Sequence, residues 1–173
     1  ILTNDGAGNL SWAANSPGAG WGTSGNAGIT DADYIGPNTL VPFNIKINNV
    51  RAGRIDQPNL NAFYGYEAGR DNAGAQGVTA FGNAALRGNT YGHYNTAYGK
   101  SALFTFSFNN GNTAFNSHST AIGYESLYNT NPIDASTGNR NTAIGSISGY
   151  YNTTGYNNVF VGYGAGSGTT AAE

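Results

Sequence analysis

Nine carboxylates and two histidines are the side chains best suited to proton transfer or metal binding in this 173-residue chain, which has no cysteine. The acids are Asp5, Asp31, Asp33, Asp56, Glu67, Asp71, Glu125, Asp134 and Glu173. A glycan-cleaving site needs two of them across one groove. Glu67 and Glu125 both stand two residues after the glycine of a repeated motif, in copies three apart. Copies stacked at ~4.8 Å would separate those carboxylates by about 14 Å, too far to act as a pair. His93 and His118 form no His-x-His ligand pair, so they are read as surface or packing residues rather than a metal site. The run Gly162-Tyr163-Gly164-Ala165-Gly166 lacks the lysine and the strand–helix setting of a phosphate loop and reads as a turn. Without cysteine there is no disulfide framework, thiolate zinc site or thiol nucleophile. The residues therefore predict no enzyme, no metal and no cofactor.

The elements that would carry these residues are unusual in composition. Only 9% of residues are charged, against roughly 25% in typical soluble domains. Glycine (27) and asparagine (25) together make about three residues in ten. Yet 39% of the chain is apolar and 13% aromatic, with 12 tyrosines, which is enough to build a core. A net charge of −2 with no basic run argues against nucleic acid. No stretch approaches the ~20 apolar residues of a membrane-spanning helix, so no membrane insertion is expected. The sequence opens at Ile1 without a leader and reads as a piece of a longer protein.

Six short segments repeat one template, with two small or aromatic positions, a bulky residue and a glycine. They are Ala62–Gly65, Thr79–Gly82, Thr96–Gly99, Thr120–Gly123, Thr142–Gly145 and Val159–Gly162. Their glycines are spaced 17, 17, 24, 22 and 17 residues apart. A small or turn-tolerant residue (Ala75, Gly92, Asn116, Gly138, Gly155) stands seven before each later glycine. Each unit thus divides into a constant leg of 7 residues and a variable one of 10, 10, 17, 15 and 10. This pattern fits a two-strand coil with one tight corner and one corner free to bulge. The internal period is two, which indicates strands rather than helices. The bulky row is expected to face the core, together with Thr79, Thr96, Thr120 and Thr142. That placement sets aside an ice-binding reading of the threonines. The alternate row, alanine at 80, 97, 121 and 143 but Phe63 and Phe160 in the outermost copies, is expected to dock against neighbouring chains. Residues 1–58 read as a β-rich connector with strands at Phe43–Ile47 and around Val50 to Ile55. Residues 59–166 read as the repeat array, and 167–173 as a tail or the start of another segment.

The run Asn95-Thr96-Ala97-Tyr98-Gly99-Lys100-Ser101-Ala102-Leu103, echoed at 119–127 and 141–149, resembles the NTAxGxxAL repeats of tail-fibre-like and adhesin-like surface proteins. It is also similar to the heads of trimeric autotransporter adhesins, from which it departs by its longer and less regular period. The resemblance implies an all-β repeat solenoid, a left-handed parallel β-roll of two-strand coils, in a homotrimeric fibre segment. It further implies an extracellular place on a virion, particle or bacterial surface. The expected function is structural and adhesive, in attachment to a cell surface; a fibre-borne glycan hydrolase or lyase is the alternative. Partners would be two more copies of the chain and a cell-surface glycan or protein receptor. The two long legs fall in consecutive coils at one corner, so they should project side by side, as binding loops on a rigid scaffold do. They supply the candidate binding residues Phe104, Phe106, Phe108, Tyr128, Asn131 and Asp134.

Overall fold

A computed structural model of the chain describes residues 2–4, 10–12, 37, 39–108 and 111–167. The chain divides into two compact units, residues 1–36 and 37–173. In the first, strands β1 (Leu2–Asn4) and β2 (Leu10–Trp12) pair antiparallel, with Leu2 opposite Trp12. The rest of the Ser11–Pro37 stretch lies outside the described residues, apart from 11, 12 and 37.

The second unit is built on one eight-stranded mixed sheet. The expected strands at 43–47 and 50–55 form an antiparallel hairpin of β3 (Phe43–Ile47) and β4 (Val50–Asp56), with a bulge between Ile45 and Lys46. The turn is made by Asn48 and Asn49, both at positive φ, as two-residue hairpin turns demand. A single 3-10 turn (Gln57–Asn59) leads into β5 (Asn61–Tyr64), which pairs antiparallel with β4. The hairpin is thus continuous with the repeat strands in one sheet.

The remaining templates form β6 (Thr79–Phe81), β8 (Thr96–Tyr98), β10 (Thr120–Ile122), β11 (Thr142–Ile144) and β12 (Val159–Val161). They pair parallel to β5 and to one another in strict template register, Thr79 with Thr96 with Thr120 with Thr142. The second strand expected in each repeat is present only in part. Strands β7 (Gly92–His93) and β9 (Phe115–Asn116) form a two-residue parallel pair, with Gly92 opposite Phe115 rather than Asn116. The seven-residue leg is therefore one residue out of step there, and both Ser117 and His118 donate to the His93 carbonyl. Among the described residues there is no α-helix.

The template glycines open tight turns, and each of the first five bonds to the same turn in the next unit. Gly69, Leu86, Leu103, Leu127 and Gly149 donate to the carbonyls of Ala85, Ala102, Ser126, Ser148 and Ala165. Positive φ recurs at the glycine and at the second and fourth residues after it; in one copy these are Gly99, Ser101 and Leu103. The template position must be glycine for two reasons. Its φ of +130° to +136° in the first five copies is a region closed to side chains. A Cβ on Gly65 or Gly82 would also meet the next glycine's carbonyl oxygen at 2.5 Å.

The core lies between the strands and these turns, and it inverts the expected faces. Ala80, Ala97, Ala121 and Ala143 are buried inside the chain, whereas Tyr64, Phe81, Tyr98, Ile122, Ile144 and Val161 point outward. The space behind the sheet is thin. An inward alanine shares it with Leu86, Leu103 or Leu127, four residues after a template glycine. Where phenylalanine replaces alanine, glycine replaces leucine: a Cβ on Gly69 would strike the Phe63 ring, and one on Gly166 the Phe160 ring, for which Gly149 of the preceding Ala143 copy also leaves room. The outermost copies thus hold the same volume with its two halves exchanged.

Four residues before the glycine, buried Asn61, Asn95 and Asn141 tie successive repeats together. Each accepts from the following copy's backbone N–H (Val78, Ser119 and Asn158) at 2.8–3.0 Å. Each also donates to a carbonyl of the adjoining leg, Ala75, Gly92 or Gly155. These bonds satisfy backbone groups that a narrow interior cannot hydrate.

Candidate functional site

The two long legs do lie side by side and are bonded to each other. Thr105 donates from its backbone N–H to the Tyr128 carbonyl at 3.1 Å and from its hydroxyl to the same oxygen at 2.7 Å. The Ser107 N–H donates to Asn131 Oδ1 at 3.1 Å. The second leg is bonded in turn to the coil that follows it, Asn131 N–H to Thr153 O and Gly138 N–H to Thr154 O, both 2.8 Å.

The six expected binding residues divide by environment. Phe104 and Tyr128 are half-buried and stack with ring centroids 5.0 Å apart, and Tyr128 stacks on Tyr150 at 5.2 Å. The Arg87 guanidinium closes the other end of this column, 5.2 Å from the Phe104 centroid. Phe106 is fully buried, against Phe115, and takes no part in the surface. Phe108 packs edge-on against Phe115 at 5.5 Å and is half-buried. The alternation of Phe104, Phe106 and Phe108 thus does not place three rings on one face, because the middle ring enters the core. Asn131 is exposed, and Asp134 is spent on its own turn, accepting from Ser136 N–H at 2.7 Å and Thr137 N–H at 2.9 Å.

Between the legs and the following coil lies a cleft of about 430 Å³. Thr105 lines it from the first leg, Asn129, Asn131 and Ile133 from the second, and Tyr151, Thr153 and Thr154 from the next coil. No residue lining it carries a charge. The neighbouring Tyr150 phenol is pushed up by burial and then by the Glu125 carboxylate, so it stays neutral at physiological pH. Tyr151, Thr153 and Thr154 escaped sequence reasoning, which followed only the long legs. The signal available was the tyrosine pair Tyr150-Tyr151, one of which falls in register with Phe104 and Tyr128.

Among the described residues, Glu67 and Asp56 are engaged in ion pairs. Glu67 bridges Arg87 at 2.9 Å and Arg70 at 3.5 Å, and buried Asp56 bonds Arg54 at 2.8 Å and Asn59 at 3.1 Å. His93 Nδ1 accepts from the Gln76 N–H at 2.8 Å, and desolvation lowers its pKa. His118 stacks on Tyr94 at 5.0 Å. Among the described residues, no three His, Asp or Glu side chains gather as a metal site would require.

The outer face of the sheet is the other prominent surface. Tyr64, Phe81 and Tyr98 form a continuous stack with centroids 5.1 and 4.9 Å apart. The row continues through Ile122, Ile144 and Val161 in one direction and, across Gly53, to Ile45 of the hairpin in the other, with Ile55 on the same face opposite Ala62. Comparison with protein-family models, curated proteins and solved structures finds no match to this chain.

Proposed function

We propose that this chain is a structural and adhesive segment of an extracellular fibre, in which the parallel ladder is a solenoid of stacked coils and three copies associate through the outer sheet face. The observation that carries the reading is the character of that face. From Ala62 and Tyr64 to Val159 and Val161, none of its twelve outward positions on the six repeat strands is charged. Tyr64 is 58% exposed, Tyr98 55% and Val161 65%.

With full side-chain areas on the order of 150–250 Å² for aromatics, the row from Ile45 to Val161 exposes roughly 700 Å². That exceeds the ~300–600 Å² of the largest apolar patch on a typical monomer. It approaches the ~800 Å² per partner of a stable interface. Copies related by an axis along the stack would each turn the same face to that axis and close a ring. The alanine row, already filled from within its own chain, is not the contact. The resemblance of the repeats to trimeric adhesin heads favours three copies.

On this reading the chain attaches rather than catalyses, outside the cell on a particle or bacterial surface. The hydrolase or lyase alternative has no specific observation in its favour, since Glu67 and Asp56 are held by arginines. The test places a charge at the centre of the face. Phe81→Asp should yield a species of lower mass with its β circular dichroism retained, and the parent protein should release no reducing ends from surface glycans. An unchanged mass for Phe81→Asp would refute association through this face.

A further inference from the structure

We infer that the cleft between the second long leg and the coil after it binds a neutral glycan. The inference deepens the attachment reading and rests on it for the role of the site, while its chemistry stands on one chain alone. At about 430 Å³ the cleft falls in the size range of ordinary ligand pockets. Its apolar part is a platform of Tyr151 and Ile133, 57% and 67% exposed. A tyrosine ring gives a large contact at little cost in side-chain entropy.

The polar part consists of groups with spare hydrogen-bonding capacity. Asn131 uses its Oδ1 on Ser107, while its amide nitrogen and the Thr153 and Thr154 hydroxyls donate to no other described residue. A sugar ring matches this arrangement, with a C–H face for the aromatic platform and a rim of hydroxyls for amide and hydroxyl partners. Nucleic acid does not match, because nothing lining the cleft could neutralise a phosphate. The same lack of charge disfavours sialylated and uronic-acid glycans. The walls are tied to each other through Asn131–Thr153 and Gly138–Thr154 backbone bonds, so the site is formed before its ligand arrives, which spares the cost of ordering it.

The test is a printed array of neutral and anionic glycans probed with the labelled full chain, followed by titration of the best ligand. Neutral glycans should bind, and Tyr151→Ala, which also gives up an edge-on contact with Tyr150, and Thr154→Val should each weaken binding about tenfold or more with the β circular dichroism retained. Binding to no glycan, preference for anionic ones, or undiminished binding by both variants would overturn the proposal. Light scattering on the same samples separates the two readings. A trimer that binds no glycan leaves the fibre reading standing and removes the cleft, and a monomer that binds does the reverse.

Discussion

Alanine at the template glycine isolates what holds one repeat strand against the next. In Gly82→Ala two costs combine. At φ +136° a side chain sits in a region that costs on the order of 1–3 kcal/mol. The new Cβ would also lie 2.5 Å from the Gly99 carbonyl oxygen and 2.6 Å from its carbon, both backbone atoms that cannot rotate away. Relief requires the two coils to part by at least half an ångström or so, against a ladder spacing of about 4.8 Å. Gly162→Ala serves as the control. Its φ of +119° imposes the same kind of strain, but no described residue lies within 4 Å of its Cβ. Gly162→Ala should therefore lose only the strain, a fall of roughly 2–12 °C in Tm for a chain of this size. Gly82→Ala should lose more than about 4 kcal/mol, the exceptional class for a point change, or fail to fold. Urea midpoints of the two variants, followed by circular dichroism, decide the matter. Equal losses would show that backbone strain alone explains the glycine and that the coils are not in close carbonyl contact.

The thin interior predicts that Ala97→Leu costs roughly 1–3 kcal/mol by overpacking. The volume exchange seen at Phe63/Gly69 predicts that Ala97→Phe is partly rescued by Leu103→Gly, a favourable coupling readable from a double-mutant cycle. Asn95→Ala should cost about 1–3 kcal/mol by urea titration, because the Ser119 N–H is left buried without a partner. His93 is held below its ordinary pKa by burial, so the unfolded chain takes up its proton first as pH falls. Stability from this group is full above about pH 6.5, is lost progressively as pH falls from there to the depressed folded value, and then levels off. His93→Gln should flatten that part of a urea-midpoint profile against pH.

Much of this architecture was legible in the sequence because glycine and period two are local signals. The template glycines, the strand at each copy, the Asn48-Asn49 hairpin strands and the adjacency of the long legs all follow from spacing. The choice of face does not, because alternation shows that two faces differ without showing which is inside. Bulky residues are usually buried, and here the rule fails because a coil this thin has room for alanine over leucine and little more. The reciprocal pairs, Phe63 with Gly69 and Phe160 with Gly166 against Ala97 with Leu103, carried the answer in the sequence. The burial of Phe106 between two surface-directed neighbours had no such signal, since it depends on the path of the leg past Phe115.

Multi-angle light scattering of the purified chain measures whether three copies associate through the outer face, as we propose. The expected mass is three times 17.9 kDa, held on dilution into the micromolar range. A folded single chain of 17.9 kDa with the Tyr64–Phe81–Tyr98 stack open to solvent would contradict it.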